Sequence, residues 1–86
     1  MFILLITVRL FASYREKTNL SQIDLDLPIG STVGNLAKEV VVMLPMVIGD
    51  PSKLVIAIND EFQYHDFLLK EGDEAALIPP VSGGTN

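Results

Sequence analysis

Residues 30–45 read GSTVGNLAKEVVVMLP, and their hydrophobic period differs from that on either side. Val33, Leu36, Ala37, Val40, Val41 and Leu44 fall at helical spacing, which lines apolar side chains along one stripe of an α-helix. Ser31 or Thr32 can cap the first free N–H groups. Pro45 stops the helix, because it has no N–H and disfavours helical geometry in the residue before it. The stretch predicts one amphipathic helix set among strands, an α+β pattern.

Upstream the period is two. From Phe2 to Phe11 one parity holds Phe2, Leu4, Ile6, Val8 and Leu10, and the other Ile3, Leu5, Thr7, Arg9 and Phe11. Alternate side chains point to opposite faces of a sheet, so the even set is the expected core face. The second face is itself partly apolar, as in a central strand. Ser13–Asn19 (SYREKTN) reads as a polar turn. In residues 21–30, Ile23, Leu25 and Leu27 alternate with Gln22, Asp24 and Asp26, a half-buried strand expected to pair with the first as an antiparallel hairpin.

Downstream, residues 46–53 form a connection with turn chemistry at Gly49-Asp50-Pro51. A third strand is expected over Leu54–Asn59, a turn over Asn59–Glu61, and a short fourth strand over Phe62–His65. Lys70–Asp73 is a turn and Ala75–Pro79 the last strand. The order β-β-α-β-β-β predicts a β-grasp (ubiquitin-like) fold: a mixed sheet of four to five strands with one main helix across it. Residues 1–80 make that domain and residues 81–86 a flexible C-terminal tail.

The 86 residues make one domain without a single cysteine, so packing must supply its stability. A hydrophobic fraction of 49% is enough for a core. The net charge of −5 argues against nucleic acid as a partner and suits a partner with a basic face, although solubility explains it as well. MFILLITV is too short and lacks the flanks of an export signal or membrane span. The expectation is a cytoplasmic protein that does not insert in a membrane.

The domain offers little chemistry of its own. His65 is the only histidine, and in a short polar strand it reads as a surface or structural residue. Glu71, Asp73 and Glu74 lack the ligand spacing of a calcium loop, so no metal site is expected. Gly30-Ser31-Thr32 reads as a helix cap rather than a phosphate loop. No serine has a base near it in sequence. Attention passes to the end of the chain, PPVSGGTN over Pro79–Asn86. Pro79 and Pro80 favour extended geometry. Val81 and Ser82 are slim and Gly83-Gly84 have no side chains, so the segment can enter a narrow channel. The plain alternative is a frayed terminus.

LFASYRE (10–16), PIGSTVGNLAKEV (28–40), AIND (57–60) and EGDEAALIPPVSGG (71–84) resemble the small subunits of molybdopterin synthase, in the sulfur-carrier (MoaD/ThiS) branch of the ubiquitin-like proteins. The match spans nearly the whole chain in order. The resemblance implies a non-catalytic carrier that binds no cofactor itself. An E1-like adenylyltransferase would use ATP to adenylate the Gly84 carboxylate, and sulfur would replace the adenylate to leave a thiocarboxylate. The tail, with Gly83 aiding its threading, would enter the synthase large subunit of a heterotetramer and deliver sulfur for the dithiolene of the molybdenum cofactor. The resemblance also places Phe11, Phe62 and Ile78 on an apolar patch for protein partners, with Pro79, Pro80, Val81 and Ser82 continuing the contact. Simple second-face packing of the three apolar residues is the alternative.

Thr85 and Asn86 depart from the pattern, since the reactive carboxylate belongs to the last glycine. A processing protease, an artefact of the expressed or annotated end, or loss of the carrier role would each account for them. Other readings left open are a carrier for thiamine thiazole, cysteine or tungsten-cofactor assembly, and a ubiquitin-like binding module.

Overall fold

The computed structural model describes residues 2–45 and 49–79. Its elements are β1 (Ile3–Leu10), α1 (Ala12–Thr18), β2 (Gln22–Pro28), α2 (Val33–Met43), a 3₁₀ turn (Pro51–Lys53), β3 (Val55–Ile58), β4 (Glu61–Gln63) and β5 (Glu74–Ile78). The strands form one sheet in the order β2-β1-β5-β3-β4. β1 and β5 are parallel neighbours at its centre, and the other pairings are antiparallel. This mixed sheet with α2 across one face is the β-grasp arrangement.

Parity builds the core. Leu4, Ile6, Val8 and Leu10 of β1 are buried, as are Leu25 and Leu27 of β2, Ile56 and Ile58 of β3, and Ala75 and Leu77 of β5. Val33, Leu36, Ala37 and Val40 of α2 close over them without exposed surface. Each large aliphatic buried this way is worth about 1.5–3 kcal/mol. Thr32 is the α2 N-cap in a capping box: its Oγ1 accepts the Asn35 N–H at 3.2 Å, while Asn35 Oδ1 accepts the Thr32 N–H at 2.9 Å. The helix ends at Met43, two residues before Pro45.

The β3–β4 turn is Asn59-Asp60, at φ 50° and 73°, between the paired residues Ile58 and Glu61. Two successive left-handed residues make a type I′ turn, whose twist matches the strands it joins. Asn59 also reaches β5: Oδ1 accepts the Glu74 N–H at 3.1 Å and Nδ2 donates to Asp73 Oδ1 at 2.9 Å. Asp73 is buried, and its other oxygen accepts the Lys70 N–H at 2.8 Å.

Four expectations need correction. Residues 13–19 are not a turn, because α1 spans Ala12–Thr18. Tyr14 anchors it in the core at 8% exposure, and Asn19 closes it at φ 61°. β1 and β2 do pair antiparallel, but through this helix rather than a tight turn. Phe2 is not inside: it is 77% exposed, one residue before β1 begins, where the strand's alternation no longer sets its facing. The fourth strand is Glu61–Gln63, ending before His65, whose carbonyl turns away to accept the Gly34 N–H. The expected boundary between residues 80 and 81 lies outside the described residues.

Candidate functional site

β1 and β5 run parallel with Arg9 level with Ala76. Ile78, the last residue of β5, is paired across to Val55 of β3, and the chain proceeds directly to Pro79. Phe11 lies two residues past Arg9, as Ile78 lies two past Ala76. β5 and Pro79 therefore end at the centre of the sheet, on the side where β1 finishes.

The open face at this end is apolar. Phe11 is 41% and Val55 49% exposed; Ile78 is half-buried, with Leu77 on the core side. One row further in, the register sets Arg9, Ala76, Ala57 and Phe62 side by side across four strands. The two alanines make a low floor between Arg9 and Phe62, which is 71% exposed. Phe11 holds an extended backbone as the residue before α1. The folded chain thus puts Phe11, Ile78 and Phe62 on one face, close to the end of β5. Val55 belongs to the same surface but was not singled out from the sequence. The parity of LVIAIN carried the signal: with Ile56 and Ile58 inside, Val55 must face outward.

Arg9 Nε donates to Glu74 Oε2 at 2.8 Å, with both side chains nearly half exposed. Such a surface pair contributes at most about 1 kcal/mol, and its main effect is to set a charged centre beside the apolar row. Pro79 is half-buried. Pro80, Val81, Ser82, Gly83 and Gly84 lie outside the described residues, as do Thr85 and Asn86.

The other candidate groups have structural partners. His65 Nε2 lies 2.8 Å from the Leu54 carbonyl; a carbonyl only accepts, so Nε2 carries the proton. Glu71 accepts the Leu5 N–H, Asp73 binds Asn59 and Lys70, and Glu74 pairs with Arg9. Among the described residues no three His, Cys, Asp or Glu side chains converge as a metal site. At the start of α2 the N–H groups of Val33, Gly34 and Asn35 donate to Phe67 O, His65 O and Thr32 Oγ1, so that end is capped by protein. Asp50 accepts from both the backbone N–H and the hydroxyl of Ser52, which lowers its pKa from the ordinary carboxylate value. Among the described residues no helix is long and apolar enough to cross a membrane.

Comparison with known proteins identifies the family. A molybdopterin synthase sulfur carrier subunit from Arabidopsis thaliana is 38% identical over 79 residues, covering 92% of this chain and 82% of that one. The protein of the same description from Dictyostelium discoideum is 34% identical over 80 residues, covering 90% and 93%. Among solved structures, small archaeal modifier protein 1 from Haloferax volcanii superposes with a TM-score of 0.77 at 27% identity, covering 91% of this chain and 99% of that one. A model of the ThiS family matches residues 8–84, from within β1 through the paired glycines. The chain belongs to the ThiS family.

Proposed function

We propose that this protein is a sulfur carrier, the small subunit of a molybdopterin synthase. The observation that carries the reading is 38% identity to a sulfur carrier subunit of that synthase over 92% of the chain. The exposed apolar patch beside the end of β5 supports it. The large subunit of the synthase is the expected partner, in a heterotetramer, with Phe11, Phe62 and Ile78 at the contact and the segment from Pro79 to Gly84 entering its active site.

The chemistry asks little of the carrier. A carboxylate is a poor electrophile until it carries a leaving group. An E1-like adenylyltransferase supplies one: a Gly84 carboxylate oxygen attacks the α-phosphorus of ATP and releases pyrophosphate. The outer sulfur of a donor persulfide then attacks the acyl carbon and displaces AMP. A second thiol cleaves the resulting S–S bond, leaving a disulfide on the donor and the thiocarboxylate, a soft nucleophile. Gly84 leaves the acyl carbon unobstructed, and Gly83 adds backbone freedom for threading. ATP belongs to the activating partner and no cofactor to the carrier. The reaction requires a free carboxylate at Gly84, so Thr85 and Asn86 must first be removed, by a processing protease in this reading.

The test is the intact mass of the protein co-expressed with its activating enzyme. Loss of Thr85-Asn86 together with exchange of one oxygen for sulfur is expected. A chain that keeps Asn86 and never gains sulfur overturns the reading.

A second reading follows from the likeness to small archaeal modifier protein 1: the same activated Gly84 carboxylate would acylate amines of other proteins. Gly84-linked branched peptides in cell digests, without any thiocarboxylate, would favour it. Removal of residues 83–86 abolishes function in both readings, and would leave it unchanged in a binding module that does not use its tail.

A further inference from the structure

β1 lies inside the sheet, between β2 and β5, yet its first half carries two half-exposed aliphatics. Ile3 and Leu5 are each 47% exposed on the face away from α2. Pro28 stands opposite Ile3 on β2 and continues the apolar strip. Central strands ordinarily bury such residues on at least one face and leave polar ones on a solvated face, so exposed aliphatics there point to a contact surface.

The strip is framed by carboxylates on both sides. Asp26 is level with Leu5 and Asp24 with Thr7, so both share its face. On the opposite flank Glu71 lies against β1, its Oε1 accepting the Leu5 N–H at 2.9 Å. Among the described residues the one ion pair is Arg9–Glu74, so Asp24, Asp26 and Glu71 meet no basic side chain there. With a net charge of −5 on the chain, pairing of two copies through this strip would oppose like charges. A basic surface is the complementary occupant.

We propose that the Ile3–Leu5 strip is a second docking element, taking a protein surface with an apolar ridge between Lys or Arg side chains. Its partner is an enzyme that receives the tail, so the inference rests on the carrier reading. The strip continues the sheet face of Phe11 and Ile78 through Thr7 and Arg9, but it is a separate contact. Leu5 and Phe11 are six positions apart, roughly 20 Å at about 3.3 Å per residue. The tail-end patch grips the partner near its active site. The acid-flanked strip steers its approach and fixes the rotation of the carrier about the tail.

The experiment measures binding of the full chain to the synthase large subunit and to the E1-like enzyme, at about 50 mM and about 300 mM salt. Asp24→Lys with Asp26→Lys should weaken at least one partner by roughly tenfold at low salt, and the loss should shrink at high salt. Leu5→Thr, which keeps strand propensity, should weaken the same partner, and thermal melts check that the fold survives. The milder pair Asp24→Asn with Asp26→Asn serves if charge reversal unfolds the chain, and should show the same loss in smaller measure. Binding of both partners within about twofold of wild type, while Ile78→Asp still impairs it, overturns the strip and leaves the carrier reading standing. A concentration-dependent homodimer that Leu5→Thr abolishes overturns it in favour of self-association. A wild-type chain that binds neither enzyme overturns both.

Discussion

Tyr14 shows how one side chain can hold an element that its neighbours in sequence do not announce. It is 8% exposed in a helix otherwise made of polar and small residues. Burial disfavours its phenolate and pushes the hydroxyl above its ordinary pKa of 10.0. A folded-state pKa raised above the unfolded one contributes stability that is fully present below the unfolded value. That stability is lost as pH rises through the folded value. Denaturant melts of Tyr14→Phe should therefore lose less stability than wild type as pH rises above about 10. Phe11 and Ile78 carry a different expectation. Because Phe11 is 41% exposed and Ile78 half-buried on the open face, Phe11→Asp or Ile78→Asp should weaken large-subunit binding by about tenfold or more. Calorimetric unfolding should change by only about 1 kcal/mol for Phe11→Asp. A collapse of the melting temperature would place both side chains in the core.

The turn that launches β4 also tethers the strand that carries the tail. Asn59 binds Glu74 through its backbone N–H at 2.8 Å and through Oδ1 at 3.1 Å, and it holds Asp73 through Nδ2. Asn59→Ala removes both side-chain bonds, leaves the buried Asp73 short of a donor, and puts a Cβ without a local acceptor at φ 50°. A loss of about 2–3 kcal/mol is expected in urea unfolding. Asn59–Glu61 was legible as a turn, but the Asn59 side-chain bond to Glu74 of β5 was not, since it joins residues 15 apart. α1 was missed for a related reason. Ser13–Asn19 has no apolar stripe, only one buried anchor, although Asn19 at the helix end and the basic residues Arg15 and Lys17 in its last turn are stop signals. α2 was plain because six apolar positions repeat one period and Pro45 punctuates it.

For the molecule as a unit, the sheet and α2 share a single core, so the tail's mounting depends on packing far from it. Leu36 of α2 has no exposed surface and faces that sheet. Leu36→Ala should cost about 2–5 kcal/mol by chemical denaturation, a large part of the stability of an 86-residue domain. Sulfur loading should fall in proportion to the folded fraction rather than through any change at Gly84.

By itself the chain of residues determined which side of each strand would be buried, and where the main helix would start and stop. These follow from local period and local sterics, which neighbours along the chain are enough to express. Only folding decided that Phe11, Ile78, Val55 and Phe62 would gather toward the end of β5, and that Asp24, Asp26 and Glu71 would frame Leu5. Those groupings come from pairing between β1, β2, β3, β4 and β5 across long stretches of chain. A period-two pattern states which face a residue takes, but the strand beside it is chosen by register and by the hydrophobic closure of the whole sheet.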